Sequence, residues 1–205
     1  MQVVDDFSRY YYSHPRHPSW MGKRVLKCVL DLWVYQEIIW EMKPDIIIES
    51  GTFYGGGTLY LAMICDMVGH GEVISIDISN KKKVPQHSRI TYLIGSSISD
   101  EIVMEISKRI SGKSVMVILD SEHTKSHVLK ELEIYSKLVT EQNYLIVEDT
   151  NLNGHPISPE YGEGPMEAVM EFMEKNNDFT VDLDREKFHM TFNPNGYLRK
   201  NCIAI

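Results

Sequence analysis

The stretch Asp45-Ile46-Ile47-Ile48-Glu49-Ser50-Gly51-Thr52-Phe53-Tyr54-Gly55-Gly56-Gly57 reads as a buried strand that runs directly into a glycine loop. Three consecutive isoleucines form the continuous apolar run expected of a central parallel strand, covered on both faces. Four glycines in the next seven positions let the chain turn sharply and let a ligand approach the backbone. A helix through Leu59, Ala62, Cys65 and Val68 follows and stops at Gly69. Its first turn offers free N–H groups to that ligand.

Outward from this unit, strands and helices alternate. Upstream, Val25, Val29, Leu32, Trp33, Gln36 and Ile39 fall at helical spacing until Lys43-Pro44. Downstream, strands are expected at 73–77, 90–94, 115–119 and 144–147. Between them lie the helical stripes Ile102, Val103, Ile106, Ile110 and Val128, Leu132, Tyr135, Val139. Met166, Val169, Met170 and Met173 repeat at i, i+3, i+4, i+7, an amphipathic helix whose methionines belong to the core. The tail reads as two strands, at 179–181 and 188–192, with no helix between them. This pattern predicts an α/β, Rossmann-like fold: a mostly parallel seven-stranded sheet, helices on both faces and an antiparallel C-terminal strand pair. Residues 1–22, rich in Tyr, His and Pro, are expected to form an ordered arm or lid rather than a helix, and 23–205 one domain.

Ligands in such sheets sit beyond the carboxyl ends of the strands. Four of the five parallel strand ends carry an acid: Glu49, Asp77, Asp120, and Glu148-Asp149. The glycine spacing fits neither G-x-G-x-x-G nor a phosphate-binding P-loop, since no lysine precedes Thr58. An acid two residues before Gly51 suits a ligand with a cationic amino-acid end, such as S-adenosylmethionine; a plain tight turn is the bland alternative. Asp77 is placed to accept from ribose hydroxyls, unless it only caps a turn. Asp120, Glu148 and Asp149 would crowd three negative charges together, which a hard divalent cation relieves, Mg²⁺ above all. Glu148 and Asp149 converge only if the chain turns there. His123, three residues after Asp120, would take a proton from a hydroxyl beside the cation, having an intrinsic pKa of about 6.5. His127 and His189 read as structural or surface groups, and His155 as a residue near the substrate.

Composition narrows the partners. The 205 residues carry a formal charge of −8 and 43% apolar residues. A chain this acidic lacks the positive field that tracks nucleic-acid phosphates, and the one basic run, Lys81-Lys82-Lys83, reads as a solvated loop. No signal peptide, membrane-spanning run or C-x-x-C pair is present, so a cytoplasmic protein with buried thiols at Cys28 and Cys65 is expected.

Several stretches resemble the cephalosporin hydroxylase family of class I methyltransferases. They are Trp20-Met21-Gly22, Lys27-Cys28, Leu30 to Glu37, Glu49 to Gly57, Leu119 to His123, Val147 to Asn153, Gly164 to Val169 and Phe192 to Leu198. The resemblance implies methyl transfer from S-adenosylmethionine, with Mg²⁺ on Asp120, Glu148 and Asp149. It places the methionine end of the cofactor on Glu49, Gly51, Thr52, Tyr54, Gly55 and Gly57, ribose on Asp77, adenine beside Ser97, and Asp120 facing the cofactor. His123 matches the position of a Lys or His base. Val29 departs from an expected proline. The implied acceptor is a small-molecule hydroxyl of a sugar, polyketide, peptide or phenol, with self-association into a homo-oligomer. Two rivals stay open: an NAD-dependent oxidoreductase, which would share Asp77, and a non-catalytic nucleoside-binding module.

Overall fold

The computed structural model describes residues 2–15, 17–79 and 84–202; the Lys81-Lys82-Lys83 run lies outside them. Helix α1 (Gln2–Ser13) comes first, then a small antiparallel hairpin of β1 (Ser19–Trp20) and β2 (Lys23–Arg24). The arm is therefore helical over most of its length, against expectation. Pro15 and Pro18 act only on the segment after it, where restricted backbone ends the helix.

The main chain then runs α2 (Val29–Met42), β3 (Ile46–Ser50), α3 (Gly56–Val68), β4 (Glu72–Asp77), β5 (Ile90–Ile94), α4 (Asp100–Ile110), β6 (Val115–Leu119) and α5 (Lys125–Tyr135). It finishes with β7 (Tyr144–Val147), α6 (Pro165–Lys175), β8 (Phe179–Val181), a 3₁₀ turn (Leu183–Glu186) and β9 (Tyr197–Lys200). One sheet has the order β5-β4-β3-β6-β7-β9-β8, parallel through β7, with β9 antiparallel to both its neighbours.

Side chains of period two explain why both faces are covered. Ile46, Ile48, Val117, Leu145 and Val147 pack on the face that carries Ile102 and Ile106 of α4, Leu132 of α5 and Phe172 of α6. Ile47, Met116, Ile118, Tyr144 and Ile146 pack on the opposite face against Tyr35 and Ile38 of α2 and Leu61 of α3. Strand order reverses between β3 and β6, so a crevice opens at the carboxyl ends of β4, β3 and β6.

Three local expectations fail for identifiable reasons. Helix α2 starts at Val29 rather than Val25, and Val29 and Trp33 face outward, with Trp33 Nε1 donating to Glu37. Its buried face instead includes a carboxylate, Asp31, which an apolar stripe does not count. In α6, Met170 is exposed while Met166, Val169 and Phe172 are buried. Residues 188–192 form no strand, because Thr191 Oγ1 and the Phe192 N–H are spent on the Asp31 carboxylate. The antiparallel partner of β7 is 197–200 instead, and a 3₁₀ turn separates the last two strands.

Candidate active site

Two adjoining cavities occupy the crevice. One, of about 540 Å³, is lined by Asp120, His123 and Asp149 together with Lys27, Tyr11, Tyr12 and Phe192. The other, of about 650 Å³, is lined by Ile76, Ile78, Ser96, Ser97, Glu122 and His127. Gly51, Phe53, Asp77 and Ser121 line both.

Asp120, His123 and Asp149 each offer a ligand atom, and these atoms lie within 4.8 Å of one another. His123 Nε2 is 3.2 Å from Asp149 Oδ2. The turn needed at the end of β7 is present: Asp149 has φ 55°, a left-handed conformation that costs a non-glycine residue about 1 kcal/mol. It is braced by Asn193, whose Oδ1 accepts from the Asp149 N–H, and by Thr150 Oγ1 donating to Pro194 O at 2.6 Å. Gly196 allows this brace, since a Cβ there would lie 2.3 Å from Val147 O. Burial, reinforced by the Asp120 charge, pushes the Asp149 carboxyl up to about 6, although His123 opposes it. About a fifth of its side-chain surface, 22%, still reaches solvent.

Glu148 does not join that trio of ligand atoms. Its Oε1 accepts a short hydrogen bond from Lys27 Nζ, which also donates to Asp120 Oδ2 at 2.5 Å and lies 3.8 Å from Glu49 Oε1. Lys27 is the cavity residue that sequence reasoning gave no role. It is 5% exposed. Burial alone would lower its pKa, but the carboxylates of Asp120, Glu148 and Glu49 outweigh burial and hold the ammonium well above its usual range. Burial, then the Asp120 charge, drives the Glu148 carboxyl strongly upward. The available signal was a lone lysine in Val25-Leu26-Lys27-Cys28-Val29, where a charge flanked by apolar residues must find a buried partner.

On the glycine loop, Gly51 allows the closest approach: a Cβ there would lie 1.7 Å from Asp120 O, so β3 and β6 could not end side by side. Gly55 caps α3, and a Cβ on Gly57 would press on Lys27 Cε at 2.6 Å. Thr52 Oγ1 lies 2.6 Å from Ser75 Oγ, and Tyr54 is half exposed beneath the Arg24 guanidinium. Glu49 turns inward, accepting from Thr58 and Ser75, and is not among the residues lining either cavity. Asp77 accepts from the N–H groups of Phe53 and Ser79 and from Ser79 Oγ, each at 2.8 Å. It is thus both a turn aspartate and a cavity wall.

Ser97 is buried at the second cavity, 3.3 Å from His127 Nε2, which also meets Ser121 Oγ at 3.1 Å. His127 is therefore a cavity residue rather than a surface group. Hydrogen bonding to the Glu131 carboxylate, which accepts from the ring, raises its pKa. His155 pairs with Glu167 at 2.9 Å and is absent from the lining of both cavities. Among the described residues no helix is long and apolar enough to cross a membrane.

The chain matches the family model described as Rhamnosyl O-methyltransferase/CmcI over residues 11–201. It is similar to a rhamnosyl O-methyltransferase of Mycobacterium leprae, 37% identical over 206 residues, which cover 96% of this chain and 90% of that protein. A rhamnosyl O-methyltransferase of Mycobacterium tuberculosis is 36% identical over 209 residues, 97% of this chain and 85% of that protein. Among solved structures, the fold resembles CmcI with Mg and SAM, at a TM-score of 0.66 and 20% identity, over 94% of this chain and 84% of that one.

Proposed function

This chain belongs to the rhamnosyl O-methyltransferase/CmcI family, and on that premise we propose that it is an S-adenosylmethionine-dependent, Mg²⁺-assisted O-methyltransferase. Its acceptor is a hydroxyl of a sugar or natural product. The supporting observation is a juxtaposition: the Asp120–His123–Asp149 cluster opens on the same crevice as the glycine loop and the Asp77–Ser97 cavity.

The residues fit both groups. Asp120 and Asp149 supply the oxygen ligands a hard cation prefers, with Glu148 beside them as the third acid. That preference leaves the imidazole of His123 outside the ligand set and available for proton transfer. Gly51, Asp77 and Ser97 line a space of the size a nucleoside needs. When bound, the sulfonium supplies the methyl group and the cation lowers the proton affinity of the acceptor hydroxyl. His123 takes that proton at Nδ1, the ring nitrogen not engaged by Asp149. The Asp149 carboxylate stabilises the imidazolium so formed. Lys27 holds Asp120 in place while the acceptor reacts.

Calorimetry separates this reading from an oxidoreductase. S-adenosylmethionine is expected to bind and NAD⁺ to give no heat. Binding of NAD⁺ in its place would overturn the proposal.

A further inference from the structure

Lys27 brings a fixed positive charge to the edge of the acid cluster. Val25 and Cys28, on either side of it in sequence, are buried, and so is the lysine itself. Its stem runs along the first turn of α3, where a Cβ on Gly57 would lie 2.6 Å from Lys27 Cε and 3.2 Å from Glu49 Oε1. The ammonium is thereby held among Glu49, Asp120 and Glu148, at the wall of the first cavity.

Asp120 thus has two demands on it. Its Oδ2 accepts from Lys27 Nζ at 2.5 Å, while the same carboxylate belongs to the ligand cluster with His123 and Asp149. Glu148 is taken up by the same ammonium. Among the described residues no ion pair joins Lys27 to Asp149, whose carboxylate meets His123 instead. A divalent cation in that cluster would therefore share a carboxylate with a charge that cannot move away.

Two effects of Lys27 on such a cation oppose each other. By orienting Asp120 it saves the side-chain entropy of a free aspartate, worth roughly a few-fold in affinity. By repulsion it does the reverse. Charges of +1 and +2 separated by one carboxylate repel enough to cost about tenfold in affinity even at the dielectric constant of bulk water. Burial reduces the screening, so repulsion is the larger effect.

We propose that Lys27 sets the cation affinity of the site: its ammonium positions Asp120 and Glu148 and, by repulsion, keeps a divalent cation exchangeable instead of permanently bound. This assignment rests on the reading of Asp120 and Asp149 as cation ligands and adds to it the residue that limits how tightly they bind.

The test is Mn²⁺ titration of the full chain, parent and variants, followed by electron paramagnetic resonance, with circular dichroism to confirm folding. Lys27→Met should bind Mn²⁺ at least about tenfold more tightly than the parent. Lys27→Gln, neutral but still a donor, should gain affinity in the same direction and carries the test if Lys27→Met does not fold. Lys27→Arg keeps the charge and should bind no more tightly than the parent. A lysine that only braced the fold would give equal or weaker Mn²⁺ binding in the folded neutral variants. That result, or tighter binding by Lys27→Arg, overturns the proposal. Absence of any Mn²⁺ site in the parent would instead overturn the cation reading beneath it.

Discussion

Lys27 and Asp31 stand four residues apart and are 5% and 2% exposed, yet the networks around them are built on opposite terms. Asp31 is satisfied by neutral donors: Thr191 Oγ1 at 2.5 Å, the Phe192 N–H at 2.8 Å and the Tyr197 hydroxyl at 2.9 Å. Burial still pushes its carboxyl up to about 6. Lys27 is one ammonium facing Asp120, Glu148 and Glu49, with Asp149 just beyond. The first network is closed and ties α2 to the segment before β9. The second holds more acid than its single ammonium can balance, at the edge of an open cavity. A satisfied buried charge marks architecture, and an unbalanced one beside a cavity marks a place where a further cation belongs.

The contrast can be broken most strongly at the unbalanced end. His123→Ala should lower kcat by about 10²–10⁴-fold, the usual contribution of a positioned base, with cofactor affinity unchanged by calorimetry. Lys27→Met removes one partner of a buried ion cluster and should cost about 3–5 kcal/mol in urea unfolding. Added Mg²⁺ should recover part of that loss, because the acids left behind then have a cation. Asp31→Ala sharpens the comparison from the other side. It should cost about 1.5–3 kcal/mol, as hydrogen bonds to a charged group are lost, while turnover per folded molecule stays at the parent value. A fall in turnover as large as that of His123→Ala would erase the distinction between the two networks.

The smallest effect lies outside both networks, at Glu167. Burial raises its pKa, but donors from the Gly164 N–H, His155 and Asn153 outweigh it and hold the carboxyl down to about 2. A depressed carboxylate stabilises the fold above its unfolded pKa and ceases to as pH falls through the folded one. The stability gap between the parent and Glu167→Gln should therefore be full above about pH 4.5 and close towards about pH 2, read from urea midpoints across that range.

The sheet was legible because its strands are buried on both faces and leave unbroken runs such as Ile46-Ile47-Ile48 and Val115 to Leu119. The acids were legible because a parallel sheet sends ligands to its strand ends, where Asp77, Asp120, Glu148 and Asp149 stand. Features decided by distant partners were not. Helix α1 was obscured by the prolines that follow it, and 188–192 lost its strand to a carboxylate about 160 residues away, a separation no local pattern carries. Lys27 finds Asp120 and Glu148 across 93 and 121 residues. His127 enters the second cavity only because α5 begins beside Ser97 and Ser121.

Whether Asp120 and Asp149 jointly hold a divalent cation is most directly settled by titrating Mn²⁺ into the chain, followed by electron paramagnetic resonance. One Mn²⁺ should bind the parent and be displaced by Mg²⁺, and Asp120→Asn/Asp149→Asn should lose that site. Equal binding by parent and double variant would contradict the account.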